Sequence, residues 1–111
     1  MALRRIVRLD SGDIPAGGFK DLDYAPEVNL KLKHIIAVET TAAAYRLVFV
    51  RIQMGDVPLT SPDISAELLR PDLAQPIVFD LVHVAGVKLI FRITNSDTAT
   101  RRLHLHLIYE E

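Results

Sequence analysis

The amino-acid sequence predicts a single all-β domain built as an antiparallel sandwich. Hydrophobic and polar residues alternate with a period of two in several segments, most clearly over residues 28–39 and 102–109. Clusters rich in glycine, proline, asparagine and aspartate separate these segments at the spacing of strand connections. No strand pattern alternates with a long helical one, which argues against a parallel sheet. A length of 111 residues is ordinary for one domain.

Composition excludes several kinds of chemistry. Half of the residues are hydrophobic and 24% are charged, which is typical of a globular chain. There is no cysteine, so disulfides, thiolate metal ligands and cysteine nucleophiles are excluded. The formal net charge of −1 supplies no positive field for nucleic acid. No apolar run is long enough to span a bilayer. We therefore expect no direct nucleic-acid partner, no membrane association and no cofactor.

The first elements are predicted at the N-terminal end. Residues 5–9 are short and rich in β-branched side chains, and residues 1–8 form either an extended arm or an edge strand. The segment 11–18 holds three of the five glycines and a proline, a density that marks a turn between strands. A weaker alternating strand follows at residues 19–24 and ends before Pro26.

The next two strands are predicted from stronger patterns. Over residues 28–39, Leu30, Leu32, Ile36 and Val38 share one face of a strand, and two lysines occupy the other. We assign these four residues to the core. Small residues at 40–44 link this strand to the next one, at 45–54, because three consecutive alanines are too few to propagate a helix.

The segment from Gly55 to Gln75 is the longest connection without a strand pattern. Ser61 fits a helix N-cap, and Pro62 fits the first helical turn. The helix would end before Pro71, since a residue that precedes proline avoids helical geometry. The sequence thus predicts one short helix within residues 61–69, as a connection and not as a layer of its own.

Three strands are predicted in the C-terminal third, at residues 77–82, 87–94 and 102–109. A loop at 95–98 joins the last two as a hairpin. The last strand alternates cleanly, with leucines on one face and two histidines on the other. Strand alternation assigns five further residues to the core: Leu89, Phe91, Leu103, Leu105 and Leu107.

Two of the predicted strands, 45–54 and 77–82, carry apolar side chains on both faces. A core of this size cannot bury both faces of both strands. Either the helix or the loop at 55–75 covers the excess, or a neighbouring subunit does, because contiguous exposed apolar surface is typical of interfaces. The second interpretation predicts a homo-oligomer with an interface formed by Tyr45, Leu47, Phe49, Val78 and Val82.

The strand residues His104 and His106 are the most suggestive pair for metal binding. Side chains at i and i+2 of a strand project from one face, and Glu110 completes a His-x-His-x-x-x-Glu pattern. This pattern resembles the first metal motif of the cupins, but its leading glycine and a later ligand strand are missing. We therefore expect no metal there, and assembly that weakens below about pH 6 if this face is an interface.

The remaining polar residues give no catalytic pattern. His83 and His34 have no serine or carboxylate at a diagnostic spacing, and structural histidines are the more common case. The aspartates near the glycine-rich turn, such as Asp10 and Asp21, lack the calcium-loop register. We predict no catalytic, cofactor-binding or metal-binding residue, and no enzymatic activity.

The order of strands and turns is itself informative. Four segments punctuate it: Ile14-Pro15-Ala16-Gly17-Gly18, Val57-Pro58-Leu59, Gln75-Pro76-Ile77-Val78, and Phe91-Arg92-Ile93-Thr94-Asn95. The arrangement resembles the small jelly-roll proteins of tailed-phage and other virus particles, namely head decoration proteins and fibre or spike modules. The resemblance covers most of the chain and involves no active-site residue.

This resemblance implies a jelly-roll-like sandwich that assembles as a symmetric oligomer, most often a trimer. It implies a structural virion protein that is made in the host cytoplasm and binds other virion proteins, such as the major capsid protein. The alternative is a small bacterial cupin-like or carbohydrate-binding β-sandwich protein. A metal assay and a glycan-binding assay distinguish these possibilities from the virion component.

Overall fold

The regular secondary structure of the fold consists almost entirely of strands. The computed structural model describes residues 4–40, 47–60, 63–71 and 77–110. Within them the strands are β1 (Arg4–Asp10), β2 (Phe19–Tyr24), β3 (Leu30–Glu39), β4 (Val48–Met54), β5 (Val57–Pro58), β6 (Ile64–Ser65), β7 (Leu81–His83), β8 (Leu89–Asn95) and β9 (Leu103–Glu110). One 3-10 helix, Ala66–Leu69, follows β6. The all-β class is confirmed.

Two antiparallel sheets form the layers of a sandwich. Sheet I has the strand order β1-β9-β3-β7. Sheet II has the order β2-β8-β4-β5, and β6 also pairs with β4. The chain crosses between the sheets in each of its first three connections, and its last strand lies between the first and the third. This interleaving of early and late strands is the jelly-roll arrangement.

The core lies between the sheets and follows the predicted alternation in most strands. Strands β8 and β9 point one face inward, and the fully buried side chains there include Phe91 and Tyr109. In β4, Val48, Val50 and Ile52 are completely buried. Seven of the predicted core residues are confirmed, each at most 2% exposed: Leu30, Leu32, Leu89, Phe91, Leu103, Leu105 and Leu107.

The other two predicted core residues, Ile36 and Val38, are not in the core. The register between β3 and β9 shifts between Leu32 and His34, which inserts one extra residue into β3. Such a β-bulge reverses which parity of the strand faces inward. Ile35 and Ala37 are therefore buried, at 3% and 0% exposure. Ile36 and Val38 lie half-buried on the outer surface of sheet I.

Two predicted boundaries also differ from the structure. The helical turn begins at Ala66, and its N-cap is Ser65, whose Oγ accepts a hydrogen bond from the Glu67 amide at 3.3 Å. The predicted cap at 61–62 lies outside the described residues. The strand predicted at 77–82 is shorter, because Asp80 adopts a left-handed φ of 46° that interrupts extended backbone.

Three buried polar side chains have hydrogen-bond partners within the fold: Ser11, His83 and Asn95. His83 is fully buried, and its Nε2 donates to the Val87 carbonyl at 2.6 Å. In the neutral ring, Nδ1 then accepts from the Tyr109 hydroxyl at 2.8 Å. Burial, followed by the charge of Tyr24, raises the pKa of Tyr109 above its usual value. His83 therefore has a structural role, because both of its ring nitrogens are used within the fold.

Candidate interaction surfaces

The outer surface of sheet I brings together side chains from three strands. Ile108 lies beside Ile6 of β1 on one side and His34 of β3 on the other. His106 lies between Arg8 and Ile36 in the next row. We call this surface the histidine face and define it as Ile6, Arg8, Asp10, His34, Ile36, Val38, His104, His106 and Ile108.

The histidine face is unusually apolar for the outer side of a sandwich. Ile6 is 63% exposed, and three more aliphatic side chains of the face are half-buried: Ile36, Val38 and Ile108. The solvent side of an antiparallel sheet is normally polar. The sequence pattern of β3 hid this feature, because the bulge moves two of these residues out of the predicted core. The sequence did contain one signal: Ile35 and Ile36 are adjacent, so they place an apolar side chain on each face of the strand.

An ion-pair network lies at the end of the histidine face formed by Asp10 and His104. The Asp10 carboxylate accepts hydrogen bonds from the Arg102 guanidinium, with Nε to Oδ1 at 3.0 Å, and from the Gly12 amide at 2.9 Å. These bonds, that of Arg102 above all, hold the pKa of Asp10 well below its usual value. His104 Nε2 lies 3.4 Å from Asp10 Oδ2. A protonated His104 would thus face a carboxylate.

The other histidine of β9 lies in a less favourable setting for positive charge. Burial lowers the pKa of His106, and the nearby charges of His104 and Arg8 lower it further. The rings of His104 and His106 are edge-on, with centroids 6.5 Å apart. The two histidines are neighbours, as predicted, but only His104 lies beside Asp10.

The arrangement does not assemble the cupin-like ligand set. His104 and His106 share a face, but Glu110 lies four residues beyond His106, about 13 Å along an extended strand. Glu110 Oε2 lies 3.9 Å from Lys33 Nζ instead. Throughout the described ranges, no three histidine, aspartate or glutamate side chains are grouped so that they could hold a metal ion.

The residues of the predicted interface fall into two groups. Leu47 precedes β4 and Phe49 lies within it, so both belong to sheet II, with Leu47 41% exposed. Val82 lies in β7 at the edge of sheet I, and Val78 lies just before β7; each is 58% exposed. Tyr45 lies outside the described residues. The exposed valines adjoin sheet I, whereas Leu47 and Phe49 adjoin the other sheet.

A shallow apolar groove extends the histidine face toward the 3-10 helix. It has a volume of about 210 Å³ and lies between His34 and Ile36 of β3 on one side and Leu68 and Ile77 on the other. Leu68 and Ile77 are 46% and 39% exposed. His34 Nδ1 donates to the Ile77 carbonyl at 3.2 Å, which ties the groove wall to the sheet. The groove therefore enlarges the apolar surface on the β3 side.

The outer surface of sheet II has the opposite character. Arg51 of β4 and Arg92 of β8 are directly opposite each other, and each binds a carboxylate on its far side. Arg92 Nε lies 2.8 Å from Asp21 Oδ1, and Arg51 Nε lies 2.8 Å from Asp63 Oδ1. The Arg92 guanidinium also stacks on Phe19, 4.4 Å from the ring centre. We call this charged surface the arginine face.

A cleft of about 240 Å³ opens on the arginine face. It is lined by Asp21, Arg51, Gln53, Ile90 and Arg92. The Asp21–Arg92 pair is bidentate, with a second contact from Nη2 to Oδ2 at 3.1 Å, and this bond lowers the pKa of Asp21. A cleft of this kind offers planar hydrogen-bonding groups in fixed positions.

Comparison with known proteins adds no family assignment. No family model, curated protein or solved structure matches the chain. The described part of the chain contains no helix with the length and hydropathy needed to cross a membrane. The two outer surfaces are therefore the features of the molecule that indicate a function.

Proposed function

We propose that this chain is a non-enzymatic structural protein that assembles with copies of itself as a small jelly-roll component of a virus particle, of the capsid-decoration or fibre type. The histidine face carries this proposal: within the described residues its aliphatic side chains remain exposed at Ile6 and partly exposed at Ile36, Val38 and Ile108. Jelly rolls recur in viral capsid proteins, and this supports the virion assignment by fold analogy. The major capsid protein is the further partner that the resemblance implies.

The contrast between the two outer surfaces supports self-assembly. The arginine face forms its own ion pairs and is suited to water. The histidine face presents aliphatic side chains, which gain free energy when they are removed from water. The face carries Arg8 and Asp10, whose formal charges are opposite, so these two residues do not give two copies of the face a net like charge.

A matched pair of variants tests this proposal. Ile108 and Ile90 are half-buried isoleucines on outer sheet surfaces, the first on the histidine face and the second on the arginine face. We expect the wild-type chain to be oligomeric by light scattering, Ile108→Glu to lower its mass, and Ile90→Glu to leave it unchanged. A monomeric wild type would contradict self-assembly in isolation. The opposite pattern in the variants would assign the interface to sheet II.

The predicted interface and symmetry are tested in the same way. Leu47→Glu alters the part of the predicted interface on sheet II, and Val82→Glu alters the part on sheet I. We expect at least one of these variants to lower the mass while circular dichroism keeps the strand spectrum. The trimeric state follows from the resemblance, and its test is a mass that is a multiple of three chains, namely three, or six where a twofold contact joins two trimers.

The virion assignment has its own experiment. Particles purified from the organism that carries the gene should contain the chain as a stoichiometric component by mass spectrometry. Its presence in the soluble host fraction alone would contradict the assignment, whatever the oligomeric state.

A second candidate function is carbohydrate binding, and the cleft on the arginine face favours it. Sugar sites combine planar polar side chains with an aromatic ring. Here Asp21, Gln53 and the two arginines supply the polar groups, and Phe19 is 53% exposed beside them. A glycan-binding screen that compares wild type with Arg51→Ala tests this candidate. Binding that the variant abolishes would favour it over a purely structural role.

A further inference from the structure

The first strand, β1, ends sheet I with an open edge. Among the described residues it pairs only with β9. Open edges expose backbone donors and acceptors, and proteins usually blunt them with charged side chains, proline, a bulge or a very short strand. Strand β1 has charged side chains but lacks the other three devices. Strand β1 is seven residues long, contains no proline, and pairs with β9 in unbroken register from Arg4 to Asp10. These features make it suited to backbone pairing.

We propose that β1 pairs antiparallel with β1 of a second copy, so that two four-stranded sheets become one continuous sheet across a twofold axis. This proposal deepens the proposed self-assembly and rests on it. The other edges are less suitable. Strand β7 has only three residues, and β5 and β6 have two each. Strand β2 carries Asp21 and Asp23, and two copies would bring these carboxylates together.

The hydrogen bonds of the loop after β1 identify which amides point outward. The Ser11 amide donates to the Leu103 carbonyl at 3.0 Å, and this pair continues the register in which Leu9 lies opposite Leu105. In an antiparallel pair, backbone groups alternate between the two sides of a strand. The odd residues of β1 therefore bond to β9. The amides and carbonyls of the even residues, such as Ile6 and Arg8, point to the open edge.

This parity limits the registers that two copies can adopt, because even residues must pair with even ones. The register centred on Val7 places Ile6 opposite Arg8 and Arg4 opposite Asp10, and it uses all seven residues. Moving the centre of the pairing by one residue, to Ile6 or to Arg8, shortens the paired segment. The shift that centres the pairing on Arg8 also places this arginine opposite itself. Like charges directly opposite destabilise a sheet, so the Val7-centred register is favoured.

The twofold axis of this pairing is perpendicular to the sheet, so the histidine faces of both copies lie on the same side. The Ile6 and Ile108 side chains of each copy then belong to one continuous surface. A contact through β1 is made by backbone groups and is separate from any contact through the histidine face. The two contacts can therefore be removed independently.

A proline variant tests the pairing without disturbing the fold. Ile6→Pro removes an outward amide and leaves the bonds of Val7 to β9 in place, because proline is tolerated at sheet edges. Ile6→Ala is the matched control, since it shortens the same side chain and keeps the amide. We expect Ile6→Pro to weaken association at least roughly tenfold, through two lost hydrogen bonds per pair, and to keep the wild-type circular dichroism spectrum.

A cysteine variant tests the register and does not depend on proline. Val7 lies on the twofold axis in a non-hydrogen-bonded pair, where Cα atoms are about 4.5 Å apart, within disulfide reach. The chain has no cysteine, so Val7→Cys introduces the single thiol. We expect it to form a disulfide-linked dimer under mild oxidation. Arg5→Cys is the control, because its two copies would lie about 13 Å apart along the strands.

The outcomes separate this proposal from the proposed function. The β1 pairing is supported if Val7→Cys forms a cross-linked dimer and Ile6→Pro weakens association more than Ile6→Ala does. An oligomeric wild type whose mass Ile6→Pro leaves unchanged, with no Val7→Cys cross-link, overturns the pairing and leaves self-assembly standing. A wild type that stays at the chain mass of 12.4 kDa, together with a Val7→Cys variant that forms no cross-link, overturns both.

Discussion

At the scale of single residues, the environment gives each histidine a different role. His83 is enclosed in the core, with both ring nitrogens bonded. His34 is tied to the Ile77 carbonyl at the groove. His104 lies beside the Asp10 carboxylate, and His106 lies between Arg8 and Ile36. The sequence could show that two of them share a strand face, but not which one lies beside a carboxylate.

His106 predicts an acid-sensitive stability. Its pKa is lower in the folded chain than the ordinary 6.5, so the unfolded chain takes up this proton more readily. The free energy of unfolding should therefore fall as pH drops from about 6.5 toward the folded pKa, and level off below it. We expect His106→Gln to flatten this decline in melting temperatures measured between about pH 7 and 5. An unchanged slope would contradict the role of His106.

The charged groups around His106 provide a control for this measurement. Arg8 of β1 and His104 of the same strand face it, and Asp10 lies beyond His104. Arg8→Gln removes a neighbouring charge that lowers the pKa of His106. The midpoint of the decline should therefore move to higher pH in this variant. If the histidine face is also the assembly surface, the same protonation weakens self-association.

Asp10 predicts a second transition in more acidic solution. The Arg102 hydrogen bonds lower its folded pKa below the ordinary 3.8, so the ion pair stabilises the fold above that pH. This stabilisation is lost as pH falls from about 3.8 through the folded pKa. We expect Asp10→Asn to lower the melting temperature at neutral pH, and the difference from wild type to shrink in acid. Asp23→Asn, at an exposed aspartate of β2, is the control and should change little.

At the scale of elements, the bulge in β3 decides which side chains form the core. The alternation of residues 28–39 predicts one inward face along the whole strand, and this holds at Leu30 and Leu32. Beyond the bulge the opposite parity is buried, because the pairing with β9 gains one residue at Lys33. Lys33 Nζ binds Asp80 at 2.8 Å, and the Lys33 carbonyl accepts from the Phe79 amide. These partners are more than forty residues away in sequence, so a local pattern could not reveal them.

A pair of alanine variants tests this assignment. Ile35 is 3% exposed and Ile36 is half-buried on the outer surface. We expect Ile35→Ala to cost about 2–5 kcal/mol of unfolding free energy, as for other buried aliphatic truncations such as Leu105→Ala. Ile36→Ala should cost about 1 kcal/mol or less in the isolated chain. Denaturant titration of both variants measures the difference, and equal or reversed costs would place the bulge elsewhere.

At the scale of the whole molecule, the fold class follows from the sequence and the function does not. Alternation and turn residues predict strands, and a chain with many short strands and one helical turn has few architectures open to it. The pairing of β1 with β9 joins segments at opposite ends of the chain, and the hydrogen bonds between Asp10 and Arg102 span 92 positions. Which outer surface stays apolar depends on these long-range pairings and on the bulge, so it became visible only in three dimensions.

Self-assembly should make the melting temperature depend on protein concentration. Only the folded chain presents the histidine face and the β1 edge, so mass action favours the folded state as the concentration rises. We expect the melting temperature to climb across a roughly hundredfold range of concentration, and to climb less for Ile6→Pro and for Ile108→Glu. Ile108→Glu alters the histidine face, and the difference between Ile6→Pro and Ile6→Ala reports the β1 contact, so these slopes show how far each contact stabilises the assembly. A wild-type transition that is independent of concentration would contradict assembly in isolation. Binding to a particle surface would then have to supply the neighbouring copies, because a lattice raises their effective concentration.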